Sequence, residues 1–355
     1  MKSRVYFAAA DKSDTPESLS DKLKGLVRES GVLDFIKSGQ KVALKLHFGE
    51  EGNTGFIDPR YAGVVCDEVS ARKGSVFLSD TNTLYRGQRL NSRDHLKLAY
   101  KHGFTREKVH AEVVIPDDTI PDNVVSVEIN RKFIKSARIA RIFMDADALV
   151  AVSHFKGHAL TGFGGALKNL GMGCASRQGK LAQHCDLAPV VYSEKCIGCG
   201  RCVEICPTDA YSLVDKKSSL DIKKCIGCAS CLAVCPTGAI SVDFGVGEQL
   251  QNKMVEYSLA VLKEKKGKAG FINFAVKINK ECDCWGLENS RIAPDVGILA
   301  SSDPVSIDQA SFDLVNEACG RDIFKETHPG HEGQVQLEYA REIGIGNREY
   351  ELIRL

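Results

Sequence analysis

The chain has 355 residues, 43% hydrophobic and 26% charged, with a formal net charge of +1 at pH 7. Such a length suits two modules or one large domain carrying an insertion, and no apolar run is long enough to cross a bilayer. The near-zero charge balance gives no general pull toward nucleic acid or acidic membrane surfaces, so neither is expected as a partner.

The N-terminus, MKSRVYFAAADKSD, has a short apolar patch broken by Asp11, Lys12 and Asp14. It lacks the apolar core of a secretory signal, and the expectation is a cytoplasmic protein. KVALKLHF (41–48) alternates as a strand does and ends at Gly49, DPRYAGVVCDEVSARKG (58–74) predicts a helix with a glycine stop, and SVFLSD (75–80) predicts a second strand. RDHLKLAYKHGF (93–104) predicts another helix. NRKFIKSARIARIF (130–143) places Arg131, Lys135, Arg138 and Arg141 at helical spacing, with Phe133, Ile134, Ile142 and Phe143 available for packing, the pattern of a helix with a solvated basic face. ADALVAVSHF (146–155) is a mostly apolar strand of the kind buried on both faces.

Strands alternating with helices predict an α/β layered domain with a largely parallel sheet. In open sheets of this kind ligands bind outside the carboxyl ends of the strands. The strand assignments put His47, Asp80, His154 and, late in the chain, Asp303 of SSDPVSID at such ends. Next comes SHFKGHALTGFGGALKNLGMGCASRQGK (153–180), with glycines at 162, 164, 165, 171 and 173 and with Lys156, Lys168 and Lys180. Two readings stand for it: a backbone N–H nest for a carboxylate or phosphate, or a glycine-rich connection that permits close packing. It matches neither nucleotide-binding glycine motif.

CIGCGRCVEICP (196–207) then returns, 29 residues later, as CIGCASCLAVCP (225–236). Each run reads C-x-x-C-x-x-C-x-x-x-C-P, the spacing of bacterial two-cluster ferredoxins, in which three cysteines hold one cubane and the fourth serves the other. The expected ligands are Cys196, Cys199, Cys202 and Cys235 for one [4Fe-4S] cluster, and Cys225, Cys228, Cys231 and Cys206 for the second. Zinc held by four thiolates would need only C-x-x-C pairs, and the third cysteine of each run argues against it. Gly198, Gly200 and Gly227 let backbone N–H groups approach the cluster sulfides, and Ile197, Ile205, Ile226, Val234 and Ile240 are expected to form an apolar shell. Residues 190–245 carry six acidic and six basic side chains, which suits an internal wire better than a charge-steered carrier.

After residue 245 the α/β pattern resumes, with a helix near 249–265, strands in GFINFAVKI (270–278) and VGILASSD (296–303), and a helix over 306–319. The expected organisation is a host domain in two parts, 1–188 and 246–355, with an α+β two-cluster ferredoxin insert at 189–245. Fourteen cysteines in a cytosolic chain point to metal or redox chemistry rather than disulfides. Cys66 and Cys319 sit in apolar helical patterns and read as core. Cys174, Cys185, Cys282 and Cys284, with His154, His158 or His184, are candidates for a further metal or cluster site.

The combination of HFGE, VSHFKGH, GFGGALKNLGMG, the paired cysteine runs and DPVSID resembles the family of uncharacterised iron-sulfur centre proteins, found mainly in anaerobic bacteria and archaea. The resemblance covers almost the whole chain. It implies the eight ligands already assigned and a low-oxygen metabolism, and it brings no established reaction. HALTGFGGALK is also similar to the His-and-glycine stretch of nickel-pincer lactate racemases, where a lysine after paired glycines holds the cofactor, and this likeness points to Lys168 and His158.

The expected function is that of an iron-sulfur oxidoreductase passing single electrons between the insert and a cleft formed by His47, His154, Lys168 and the C-x-C pair. The counterpart is a redox partner protein or a small-molecule substrate. A non-catalytic electron carrier and a metal or cluster maturation factor are the alternatives.

Overall fold

The computed structural model describes residues 2–184, 188–242, 248–287 and 289–355. Among the described residues eight strands make the main sheet: Ser3–Ala9 (β1), Lys41–Lys45 (β2), Ser75–Ser79 (β3), Glu112–Val114 (β4), Ala148–His154 (β5), Ala269–Ala275 (β6), Gly297–Ser301 (β7) and Tyr350–Arg354 (β8). Their order is β8-β1-β7-β6-β5-β2-β3-β4. Only β7 runs against its neighbours β1 and β6; every other pairing is parallel.

The central strand β5 is buried at every position. Leu149 and Ala151 join the core on one face, and Ala148, Val150 and Val152 join the core on the other. Helices Pro304–Cys319, Glu248–Lys263 and Ala166–Gly171 cover the first face, and Pro16–Ser30 and Pro59–Ala71 the second. Helices Pro16–Ser30, Pro59–Ala71 and Pro304–Cys319 start alike. Thr15, Asp58 and Asp303 accept hydrogen bonds from first-turn N–H groups, and a proline with its preset φ follows each.

Residues 190–242 fold beside this sheet as a small unit. Val190–Val191 pairs antiparallel with Ile240–Ser241 and closes the unit at its base. A hairpin joins Tyr211–Val214 to Lys217–Leu220, and Arg201–Glu204 and Ser230–Val234 form short helices. Its core combines Cys202, Tyr211, Cys231, Leu232 and Ile240 with Leu84 and Leu181, which come from elsewhere in the chain.

Two expectations are corrected. The basic stretch 130–143 is no helix: Ser136–Ala140 is a strand paired with Val124–Glu128, followed by the short helix Arg141–Asp145. Ala137 and Ile139 face the core while Ser136 and Arg138 stay half-exposed, an alternation with period two that outweighs the helical spacing of the charges. Asp303 also lies away from the other strand-end residues. Antiparallel β7 delivers it to the opposite edge of the sheet, where it caps helix Pro304–Cys319 and accepts from Ser3 Oγ at 2.7 Å and Asn347 N at 2.9 Å.

Candidate functional site

The carboxyl ends of the parallel strands β2, β3, β5 and β6 lead into residues that line one cavity of about 420 Å³. His47 follows β2, Asp80 follows β3, His154 ends β5, and the chain beyond β6 brings in Cys282 and Cys284. His158, Lys168, Lys180 and His184 also line it.

The Cys282–Cys284 loop is pinned from below by Asp283. That carboxylate is buried and accepts from His154 Nδ1 at 2.8 Å, with Lys156 Nζ at 3.6 Å. His154 Nε2 faces two more acceptors, the carbonyls of Val276 at 3.0 Å and Lys277 at 3.1 Å. Both ring nitrogens thus point at acceptor oxygens of the loop and its approach. His154 therefore anchors the loop rather than offering a free nitrogen to the cavity. Further bonds hold the loop, with Glu50 N donating to Asp283 O at 2.9 Å and Trp285 N to Cys282 O at 2.9 Å.

Lys168 stands on helix Ala166–Gly171, and Asp308 fixes that helix by accepting from Ala166 N at 2.7 Å and Leu167 N at 2.9 Å. The paired glycines leave room for this, since a Cβ on Gly165 would lie 2.3 Å from Asp308 Oδ1. Lys168 Nζ then reaches Cys282 Sγ at 3.3 Å. The Cys284 thiol, donating to Cys282, holds the Cys282 thiol well below its ordinary range against the effect of burial, with Lys168, Lys156 and His158 adding to the shift. Cys284 is raised in turn, so the two sulfurs form a thiol–thiolate pair. Burial works against the Lys168 ammonium, yet the Cys282 thiolate keeps its pKa above the ordinary value.

His158 belongs to a small hairpin in which Lys156–His158 pairs with Gly162–Gly164. Its Nδ1 is surrounded by Thr161 Oγ1 at 3.0 Å and by the backbone N–H groups of Leu160 and Thr161 at 3.2 Å. Burial lowers the ring to about 4. His47 Nδ1 accepts from Gly49 N at 2.9 Å, and burial followed by the Arg89 charge lowers it to about 3. Burial likewise lowers His184 to about 3 and Lys180 to about 7.

Part of the lining belongs to a buried ion network. Lys45 Nζ is 3.0 Å from Asp80, and Arg89 pairs with Glu50 at 3.2 Å and Asp80 at 3.6 Å. Burial opposes ionisation of Asp80, and Lys45 leads the cations that nevertheless hold its carboxyl far below the usual range. Asn169 ties helix Ala166–Gly171 to the sheet by accepting from Lys45 Nζ at 2.7 Å and donating to Val152 O at 3.0 Å. Lys45, Arg89, Lys156, Lys168 and Lys180 all reach the cavity beside Asp80 and Glu281, each cation already paired within the protein, and most of the surface the cavity exposes is apolar.

The other expected site residues are placed as follows. Cys174 is fully buried in the core and burial lifts its thiol to about 12, so it does not join the Cys282–Cys284 pair. Cys185 lies outside the described residues. Cys66 is buried in the core and Cys319 is partly buried. Sequence reading missed Asp283, Lys45, Arg89 and Asp308. Charges within the apolar patterns KVALK and PVSIDQA were the available signals for Lys45 and Asp308.

The run cysteines surround two further cavities. One is lined by Cys196, Cys199, Cys202 and Cys235, the other by Cys225, Cys228, Cys231 and Cys206. Backbone N–H groups donate to sulfur from Ser218 to Cys196 at 3.3 Å, Ala210 to Cys206 at 3.3 Å and Gly227 to Cys225 at 3.4 Å. Four sulfurs around a closed space, with N–H donors on them, form a donor set that fits an iron-sulfur cubane. The apolar shell is less complete than expected. Ile240 is buried, but Ile197 is 66% exposed and Ile226 55% exposed.

A family model described as Domain of unknown function (DUF362) matches residues 42–313, more than half of the chain. The chain belongs to this family. Among curated proteins, Ferredoxin-2 of Desulfomicrobium norvegicum is 52% identical over 29 residues, which is 8% of this chain and 49% of that protein. Among solved structures, a protein from Thermotoga maritima aligns over 86% of this chain and 58% of its own, with 13% identity and a TM-score of 0.43. The lactate racemase apoprotein from Thermoanaerobacterium thermosaccharolyticum aligns over 78% of this chain and 51% of its own, with 13% identity and a TM-score of 0.38. The family member described here spans about half the length of these relatives. No helix among the described residues is long and apolar enough to cross a membrane.

Proposed function

We propose that this chain is a cytoplasmic iron-sulfur oxidoreductase of a low-oxygen metabolism. In this reading residues 189–245 are a ferredoxin-like insert in an α/β host made of residues 1–188 and 246–355. Cys196, Cys199, Cys202 and Cys235 hold one [4Fe-4S] cluster, and Cys225, Cys228, Cys231 and Cys206 hold the other. The observation that carries the reading is the exchange of the fourth cysteine, since each cavity takes three sulfurs from one run and one from the other. The clusters supply single electrons, and the protein supplies their surroundings and the route.

Cys199 is exposed beside the exposed Ile197, which gives a redox partner access to the first cluster. The second run touches helix Arg177–His184, where Gln178 donates to Ile226 O at 3.2 Å and Leu181 approaches Gly227. That same helix turns Lys180 and His184 into the cavity at the strand ends, so the clusters and the cavity share one structural element. The cavity takes a small anionic substrate and reduces it.

Stepwise reduction of the anaerobic protein tests this reading. Uptake of about two electrons per chain, falling to about one in Cys235→Ser, is expected for two cubanes. Reoxidation by small anionic oxidants should then slow in Lys168→Met. No electron uptake would refute the cluster assignment, and reoxidation untouched by Lys168→Met would leave a carrier without a cavity reaction.

A further inference from the structure

We propose that His158, Cys282 and Cys284 bind a thiophilic divalent metal ion, a third centre that uses none of the eight run cysteines. The candidate ligand atoms of these three side chains all lie within 4.8 Å of one another. Metal–ligand bonds of about 2.0–2.3 Å set tetrahedral ligand atoms roughly 3.3–3.8 Å apart. Closure onto an ion therefore needs a movement of about an ångström. Two sulfurs and an imidazole suit zinc, cobalt, nickel or ferrous iron and do not suit magnesium or calcium, which take oxygen ligands.

The surroundings are those of a built centre. Asp283, alternating with the two cysteines, is held from below by His154 and Lys156, which keeps both sulfurs on the cavity side. His158 Nδ1 accepts from the N–H groups of Leu160 and Thr161 in the metal-free protein, so for Nε2 to ligate, the ring proton must move to Nδ1, where Thr161 Oγ1 at 3.0 Å is the acceptor. The Lys168 ammonium at 3.3 Å from Cys282 Sγ offsets part of the thiolate charge, leaving a bound ion more electrophilic. Three protein ligands leave the fourth position facing the cavity, the arrangement of a catalytic rather than a structural centre. Water or an oxygen of an added ligand takes that position, beside the Lys168 ammonium that already contacts Cys282.

The test uses the full chain, purified without oxygen and with its iron retained, incubated with Co2+ and freed of unbound metal. About one Co2+ per chain with thiolate-to-cobalt absorption is expected. Cys282→Ser and Cys284→Ser should each lose both signals, His158→Ala should bind at least about tenfold more weakly, and iron and labile sulfide should stay unchanged in all three. No Co2+ uptake, or uptake retained in the Cys282→Ser, Cys284→Ser double variant, would overturn the proposal. If a variant also loses its iron, the unaltered chain decides the matter: Co2+ should slow alkylation of Cys282 and Cys284, read by peptide mass. Equal rates with and without the ion, or a Cys282–Cys284 disulfide in the anaerobic protein, would overturn it. Because cluster content is read as iron and sulfide and this centre as cobalt, failure of one assignment is distinct from failure of the other.

Discussion

Lys168 Nζ and Cys282 Sγ meet at 3.3 Å across 114 residues of sequence, one on a helix started by paired glycines and the other on a loop beyond β6. The ammonium is one of the charges that keep the sulfur ionised inside the protein. In metal-free protein, Lys168→Met should let Cys282 take up a proton. Its alkylation near neutral pH should slow by about tenfold or more, since one pKa unit is a tenfold change in thiolate. Alkylation kinetics followed by peptide mass spectrometry check this. An unchanged rate would show that the Cys284 thiol and Lys156 suffice.

Asp308 holds the helix that carries Lys168, accepting from Ala166 N, Leu167 N and, at 2.7 Å, Asn273 Nδ2. Asp308→Ala removes every acceptor and leaves the buried N–H groups of Ala166 and Leu167 and one N–H of Asn273 unpaired, at a cost of about 3 kcal/mol or more. Asp308→Asn keeps one acceptor oxygen and should cost less. Denaturant midpoints at unchanged slope measure both.

Gly157 lets the His158 hairpin lie against the chain that leads to the cysteine loop. A Cβ there would stand 2.2 Å from Lys280 O, and Gly157 N already donates to Asn279 O at 2.9 Å. Gly157→Ala should push the hairpin and loop apart, so Co2+ binding falls by about tenfold or more while iron content holds. Simultaneous loss of iron would mean that the residue supports the whole fold instead.

His95 is buried, and burial holds it far below the ordinary histidine value despite the nearby Asp80 charge. Below about pH 6.5 the unfolded chain takes up a proton that the folded chain refuses, so stability falls as pH drops. The sign follows from the depressed folded pKa: the neutral ring costs nothing above the unfolded value and becomes a penalty beneath it. His95→Gln should destabilise the protein at pH 7 and lose part of that deficit by pH 5, at up to about 1.4 kcal/mol per pH unit. Paired unfolding curves of the two proteins cancel the acid lability that they share. A deficit that is constant or grows toward pH 5 would contradict the account.

The strands behind the cavity were legible because KVALKLHF, SVFLSD and ADALVAVSHF carry their periodicity locally, and their parallel direction brought His47, Asp80 and His154 to one edge. Asp303 went astray because strand direction is a property of the whole sheet, and nothing in VGILASSD records that β7 runs backwards. Strand β1 and the edge strand β8 went unread because β8 lies at the far end of the chain and pairs only with β1, which it meets across the whole sequence. The role of His154 was hidden for a similar reason. Its partner Asp283 is 129 residues away, and the sequence CDC draws the eye to the sulfurs rather than to the carboxylate between them. The two cysteine runs were the most legible feature, since their spacing is set by the few residues that wrap one concave surface.

Iron and acid-labile sulfide per chain, measured on protein purified without oxygen, together with Cys206→Ser and Cys235→Ser, test the central claim most directly. The exchange of fourth ligands predicts about eight iron and eight sulfide. Each variant should lose the cluster built on the opposite run: Cys235→Ser the one on Cys196, Cys199 and Cys202, and Cys206→Ser the one on Cys225, Cys228 and Cys231. Zinc in place of iron, or no sulfide, would contradict it.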